Sequence, residues 1–580
     1  MTRPGRETSR LDRLASFAFF AVACVVAFSQ TTRAAALWDL SYILEHAWRM
    51  HLGDVPYRDF VIPHAPLTFL VQSALIATHG GWLVHAVYCA VIAGLTASLT
   101  YALVRQQCQG ADARAVSLHA TVIALPVVAL NGYAIFPQPF YDSDAVFVVL
   151  ASWWAVLASR KAGTATSLRV IAGVLLVIPV FVKQNIGLPA MAGMLALIGA
   201  SAAISRSAAE QRAFAATAAG SALGLAAALT IISAWTGLGP YFHWTMTYAA
   251  ATRWPSAGRL LNPFLTPDIA WTLAGAGLGY LLIRKSSGPG RTWRLPIGVF
   301  AMAVPLVAGI PIMVRWGLAA RAARWWALGA SSGIAAALAA LAQPQRHLAA
   351  GLPLLAFGVS AGAFASQGLG DSAYAVWPLL LIGVATPGAR LLRLPSERPW
   401  AVLFLGGLSA VLLVLGSLHI LRQERLAFVD LEGAKQTTTR PAIRGLTTPG
   451  SYLGDFEELI SWTDRWIPAP DSIVIVPGED PFFLASGRRP QFPVTLFDQT
   501  VTPYSREQLV ELLRTQRITW VIVKTDLQLG HSPWSELAEF IGTDLPSSYT
   551  PCAHLPRYLI LRHKELGAAE RPVPGCTAAP

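Results

Sequence analysis

The sequence predicts a polytopic α-helical membrane protein of about 13 transmembrane helices, followed by a small extracytoplasmic α/β domain at the carboxyl end. Three observations carry that prediction. The 580 residues are 54% hydrophobic and only 13% charged, and the mean hydropathy of +0.48 is far above that of a water-soluble domain. Apolar runs close to the roughly 20 residues that cross a bilayer recur up to Leu421. From Arg422 the composition changes to that of a soluble domain, which divides the chain into 1–421, 422–570 and a disordered tail at 571–580.

In chain order, the basic amino terminus MTRPGRETSRLDR leads into an apolar run without a small-residue cleavage site, the pattern of an uncleaved signal anchor. Spans are expected near 14–31, 83–104, 116–134, 144–159, 168–182, 185–203 and 213–236. Further spans are expected near 268–283, 295–314, 325–343, 348–365, 373–386 and 400–421. With the amino terminus inside the cytoplasmic membrane, the inside loops collect 19 of the 28 Lys and Arg residues of this region. The positive-inside rule supports that register, and an odd span count leaves the tail outside. The segments 66–78 and 319–326 are short enough to be half-inserted or interfacial.

In the tail, the strand-like runs 472–478, 519–524 and 557–562 alternate with helical patterns at 455–467 and 505–516, the signature of a small α/β layer domain. The five cysteines stand at 24, 89, 108, 552 and 576 without metal-ligand spacing. Cys24 and Cys89 read as packing residues, while Cys552 and Cys576 are either a disulfide or two free thiols. The net charge of +12 does not point to nucleic acid: the tail holds 16 basic against 19 acidic residues, and the excess lies in short loops between spans.

The most informative interval runs from Leu37 to Leu67. Residues 1–421 contain only 13 Asp and Glu, and four of them, Asp39, Glu45, Asp54 and Asp59, fall here. From Asp39 to His51, Leu40, Ile43, Leu44 and Ala47 recur at helical spacing, with Ser41, Glu45, His46 and Arg49 away from them. This is an amphipathic helix suited to the membrane surface, its Glu45 solvated like Asp54 further on. Asp39 at its start has a plain structural reading as a helix cap. Gly53 ends the helix, and the prolines of PYRDF and IPHAPL hold an ordered non-helical path to the second span. A second acidic cluster, Tyr141, Asp142 and Asp144, precedes the fourth span on the same side, where Asp144 is also placed to cap it. The aromatics Tyr241, His243, Trp244 and Trp254 read as an interfacial belt.

An Asp just after the first span, PYRDF, a proline-rich entry to the second span, FVKQNIGL after the fifth, and an outer tail containing PGEDPFFLASGRRP resemble the GT-C superfamily of membrane glycosyltransferases. These include the protein O-mannosyltransferases and the lipid A aminoarabinose transferase. The resemblance extends along the whole chain. It implies transfer of a sugar from a polyprenyl-phosphate-linked donor to an extracytoplasmic glycan, lipid or protein acceptor, with Asp39 as catalytic base. It implies a bilayer setting; members of the superfamily differ in whether they need a metal, and no nucleic acid and no cofactor beyond the lipid-linked sugar are expected here.

The chemistry is consistent with that assignment. The donor presents its reactive carbon at the membrane surface, and one base that deprotonates the acceptor hydroxyl suffices for inverting displacement. The departing phosphate requires cations. Lys183 and Arg315, at the outer ends of spans, and Arg58 are the candidates, although long basic side chains also snorkel to the interface without function. Tyr57, Asp59, His64, Tyr141, Asp142, Asp144, Gln184 and Asn185 are the candidate substrate contacts. Asp39 lies between Trp38 and Leu40 rather than beside a second acid, unlike several members of the superfamily, and no metal site is expected. Asp59 is the other acid available as base. Two further readings remain: a transporter or flippase for a lipid-linked saccharide, which would place its polar groups at the bilayer midplane, and a membrane scaffold with a binding tail.

Overall fold

The computed structural model describes residues 5–31, 37–108, 113–160, 164–253, 267–284, 347–365, 374–391, 398–422, 432–497, 501–526 and 545–566, with isolated positions between and beyond them. The first helices are α1 (Gly5–Thr31), α2 (Leu37–His51), α3 (Leu67–Ile76), α4 (Trp82–Gln107) and α5 (Ala113–Ala124). They are followed by α6 (Gly132–Ile135), α7 (Tyr141–Ser159), α8 (Thr166–Val182), α9 (Gln184–Ser205) and α10 (Ala208–Trp235). Beyond a broken segment lie α11 (Pro267–Arg284), α12 (His347–Ala365), α13 (Trp377–Leu391) and α14 (Arg398–Leu421).

Among the described residues, six helical stretches are long and apolar enough to cross a membrane: Arg10–Thr31, Trp82–Gln107, Arg114–Ile135, Tyr141–Ser159, Gln184–Ser205 and Ala208–Trp235. Others expected as spans are shorter apolar helices, among them Thr166–Val182 and Leu405–Leu421. The expected spans near 295–314 and 325–343 lie mostly or wholly outside the described residues, as do Arg315 and Trp254. At ten residues, α3 rises only about 15 Å, half the thickness of a hydrocarbon core.

The bundle has two distinct ends. At one, Asp12 of α1 accepts from Tyr101 and Arg105 of α4, at 2.9 and 3.0 Å, and from Ser117 of α5 at 2.6 Å. At the other stand α2, the loop that follows it, the junction of α8 with α9, and the carboxyl-terminal domain.

That domain opens with a hairpin of β1 (Lys435–Thr437) and β2 (Thr447–Pro449), then α15 (Tyr452–Trp466), β3 (Ile473–Val476) and α16 (Phe482–Ser486). It continues with α17 (Arg506–Thr515), β4 (Trp520–Lys524), β5 (Tyr549–Leu555) and β6 (Tyr558–His563). The sheet order is β3-β4-β6-β5, with β3 and β4 parallel and the other pairs antiparallel. Parallel β3 and β4 need a crossover, and α17, started by a Ser505–Gln508 capping box, supplies its helix. The three expected strands and two expected helices are present. The additional β5 contains Pro551 and an irregular register between Pro551 and Ala553, which spoils the alternation by which a strand is read from sequence. Cys552 on β5 is disulfide-bonded to Cys576, which decides between the two readings of that pair.

The expected surface position of α2 is corrected: the helix is buried on both sides. Leu40, Leu44 and Ala47 share a core with Tyr452, Phe456, Phe482 and Phe483 of the carboxyl-terminal domain, and Tyr42, Ile43 and Met50 pack with Phe60, Phe69 and Tyr141 of the bundle side. The polar residues Ser41, Glu45, His46 and Arg49 are each no more than 3% exposed, so Glu45 is not solvated. An amphipathic pattern identifies the helix, but the polar stripe here meets protein rather than water.

Candidate active site

The site begins with a break in the backbone. Pro179 near the end of α8 and the extended backbone of Lys183 (φ −151°, ψ 110°) separate two helices that would otherwise run on. The helices turn on each other closely: a Cβ on Gly187 would lie 2.2 Å from the Pro179 carbonyl carbon. This break delivers Lys183, Gln184 and Asn185 to one wall of a cavity of about 390 Å³.

The other walls come from Pro63 and His64, from Thr245, Met246, Ala249 and Ala250, and from Gly358 and Gly362 of α12. The lining is mostly apolar with few polar groups, which is how a small-molecule or lipid site is built. Gln184 Nε2 donates to the carbonyls of Pro63 and Thr245 at 3.2 and 2.7 Å, and Asn185 Nδ2 donates to Gly362 O at 2.7 Å. These amides join three walls.

Around Lys183 runs a chain of contacts that leads to α2. The ammonium is ion-paired with Asp142 and sits 4.7 Å from the centre of the Tyr141 ring. Tyr141 stacks on His64 at 4.3 Å between ring centres. The Nδ1 of His64 shares a hydrogen bond of 2.8 Å with the Tyr42 hydroxyl, and the Tyr57 hydroxyl donates to His64 O at 2.6 Å. Asp39, partly buried, stands one turn before Tyr42 on the face of α2 that meets the bundle. His46, one turn beyond Tyr42, donates from Nδ1 to Tyr42 O over 2.6 Å, and burial pulls its imidazole down to about 3.

The candidates therefore separate. Lys183, Asp142, Tyr141, His64, Tyr57, Gln184 and Asn185 converge at or beside the cavity, with Asp39 one helical turn from the chain that connects them. Arg58 and Asp59 do not join them: they pair with each other in an exposed turn, where Asp59 also accepts from Val55 N at 2.7 Å. The hydrogen bond from Arg58 holds the Asp59 carboxyl below its usual range. Asp144 is buried and accepts from Thr68, Tyr88 and Tyr133, which ties α3, α4 and α6 to α7; since α7 starts at Tyr141, Asp144 lies inside the first turn rather than capping it. Asp39 likewise lies within α2, which begins at Leu37. Thr245 carried no signal in the sequence, since a threonine at helical spacing is ordinary packing. Among the described residues, no three His, Cys, Asp or Glu side chains form a group that could hold a metal ion.

No family model matches the chain, and no curated protein sequence matches it. Solved structures do. An oligosaccharyltransferase from Archaeoglobus fulgidus, in complex with Zn and sulfate, matches with a TM-score of 0.52 at 12% identity over 92% of this chain and 71% of its own. ArnT from Cupriavidus metallidurans bound to undecaprenyl phosphate matches at 13% identity over 94% of this chain and 97% of its own, with a TM-score of 0.46. At such identity the oligosaccharyltransferase likeness defines the fold. The resemblance to GT-C membrane glycosyltransferases read from the sequence is borne out at that level.

Proposed function

We propose that this protein is a membrane glycosyltransferase that moves a sugar from a polyprenyl-phosphate donor to an acceptor outside the cytoplasmic membrane. The observation that carries the reading is the apolar cavity with Lys183 on its wall, beside a helix that bears Asp39. An apolar cavity at the level of the helix ends suits the first units of a lipid chain, and a buried cation beside it suits the phosphate. Lys183 has three N–H donors, enough to serve Asp142 and an anion together.

In the proposed reaction the acceptor oxygen forms a bond to the anomeric carbon as the bond from that carbon to the phosphate oxygen breaks, with inversion. Asp39 takes the acceptor hydroxyl proton. Lys183 stabilises the charge that develops on the departing phosphate, an interaction that strengthens toward the transition state. His64 and Tyr57 line the path between the two, and the carboxyl-terminal domain and the amino terminus occupy opposite sides, outside and inside respectively.

The test is transfer by the purified protein in detergent from a polyprenyl-phosphate sugar. Asp39→Asn is expected to abolish product while insertion and the thermal transition stay as in the wild type. Lys183→Met is expected to lower kcat/KM by about 10²-fold or more. Near-normal transfer by Asp39→Asn removes it from the role of base. Absence of sugar release from any lipid-linked donor, with transport of that donor in vesicles, would replace the transferase reading by that of a flippase.

A further inference from the structure

On the face of α2 turned away from the bundle, three polar residues recur at i, i+4 and i+7, and all of them bond to one short stretch of the carboxyl-terminal domain. Ser41 Oγ donates to Gly478 O and Asp480 O at 2.8 and 2.9 Å. Glu45 Oε1 accepts from the backbone N–H groups of Phe483 and Leu484 at 2.8 and 3.3 Å. Trp48 Nε1 donates to Arg488 O at 2.8 Å. The partners are backbone atoms, so the match depends on the path of the loop rather than on any side chain it carries.

That path is rigidly held. Gly478 has φ +88°, and a Cβ there would meet Thr495 O at 1.9 Å, so only glycine fits. Asp480 accepts from Tyr452 and Tyr558 at 2.7 and 3.0 Å and from Lys524 Nζ at 2.9 Å, and Glu479 pairs with the same ammonium at 3.1 Å. Lys524 is 3% exposed and sits on β4, an inner strand of the sheet. Burial pulls its ammonium down, but Asp480 and Glu479 outweigh this and hold it above its ordinary value. A buried ion-pair cluster of this kind fixes geometry because removal of Lys524 leaves uncompensated charge.

We propose that the loop from Gly478 to Leu484 is a positioning element of the catalytic centre, with Ser41 and Glu45 the positioning residues through which it sets the place of Asp39. The inference rests on the transferase reading for its kinetic consequence. Asp39 lies two residues before Ser41, so the first of these contacts holds α2 beside the residue that serves as base. A displacement of about 1 Å at a reacting group costs on the order of 10²-fold in rate. The carboxyl-terminal domain then acts in the chemical step rather than only in the choice of acceptor.

The experiment compares full-length wild type with Glu45→Leu, Ser41→Ala and Glu45→Gln, assayed with a polyprenyl-phosphate sugar and by backbone hydrogen exchange. Glu45→Leu is expected to lower kcat by about 10²-fold with the donor KM within about twofold of wild type. Ser41→Ala, a far smaller deletion, is expected to show the same kcat-only pattern at about tenfold, and Glu45→Gln to retain kcat within a few-fold because its Oε1 still accepts both amides. Exchange in residues 37–51 should quicken in the first two variants while β3 and β4 stay protected. Unchanged kcat in both Glu45→Leu and Ser41→Ala overturns the proposal, as does a Glu45→Gln protein as slow as Glu45→Leu. Should wild type show no turnover, the transferase reading fails, and exchange alone decides whether the loop holds α2.

Discussion

Glu45 and His46 are neighbours on α2, both buried, and burial drives their titrations apart. Burial pushes the Glu45 carboxyl up to about 8 against the pull of the Leu484 and Phe483 amides, and its Oε2 has no hydrogen-bond partner among the described residues. An unfolded glutamate titrates near 4.5, so the folded state holds a proton that the unfolded state releases. The Glu45 contribution is full below about 4.5 and is lost as pH rises toward about 8. His46 behaves in the opposite sense: the folded imidazole stays neutral down to about 3, while the unfolded one takes a proton near 6.5. Its contribution is full above about 6.5 and falls as pH drops toward 3. Exchange protection of α2, corrected for intrinsic rates, is therefore expected to peak between about pH 4.5 and 6.5 and to decline on both sides. Glu45→Gln should flatten the alkaline limb alone; a wild-type profile that only rises with pH would contradict the Glu45 assignment, and one that only falls would contradict that of His46. Neither shift was legible in the sequence. A Glu on the polar stripe of an amphipathic helix reads as solvated, because the amides that receive it lie more than 430 residues further along.

At the scale of elements, the junction of α8 and α9 is the part of the site most visible beforehand. Two apolar runs separated only by KQN leave no room for an ordinary loop, so Lys183 had to stand at a helix end. Its partner Asp142 was visible as an acid, but not as a partner, since pairing across helices has no local pattern. The junction depends on Gly187, whose missing side chain lets α9 close on Pro179. Gly187→Ala is expected to force the two helices apart and to destabilise the fold by about 1–3 kcal/mol. A thermal shift assay in detergent checks this, with an unchanged transition counting against the close approach. Asp144 shows the limit of an element-level reading: its place before an apolar run offered a substrate contact or a cap, whereas three hydroxyls from three other helices surround it.

At the scale of the whole molecule, composition changes abruptly near Arg422, and positive charge in short loops gives an expected sidedness with the carboxyl-terminal domain outside. The core shared by α2 and the carboxyl-terminal domain was not legible in the sequence, since Leu40 and Phe482 carry no mark of belonging together. The sidedness has a direct check in the Cys552–Cys576 disulfide. In intact cells, a membrane-impermeant reductant followed by an impermeant maleimide is expected to label both cysteines, with no labelling when reduction is omitted. Labelling only after permeabilisation would put the domain inside.

The contact between Ser41 and Gly478 spans 437 positions, which has a meaning in time as well as in space. A ribosome adding about 5–20 residues per second completes α2 some 20 to 90 seconds before it reaches the loop that grips it. Throughout that interval the nascent chain carries an α2 whose polar face still lacks the backbone groups that will receive it. The seating of α2 therefore belongs to the last fifth of translation.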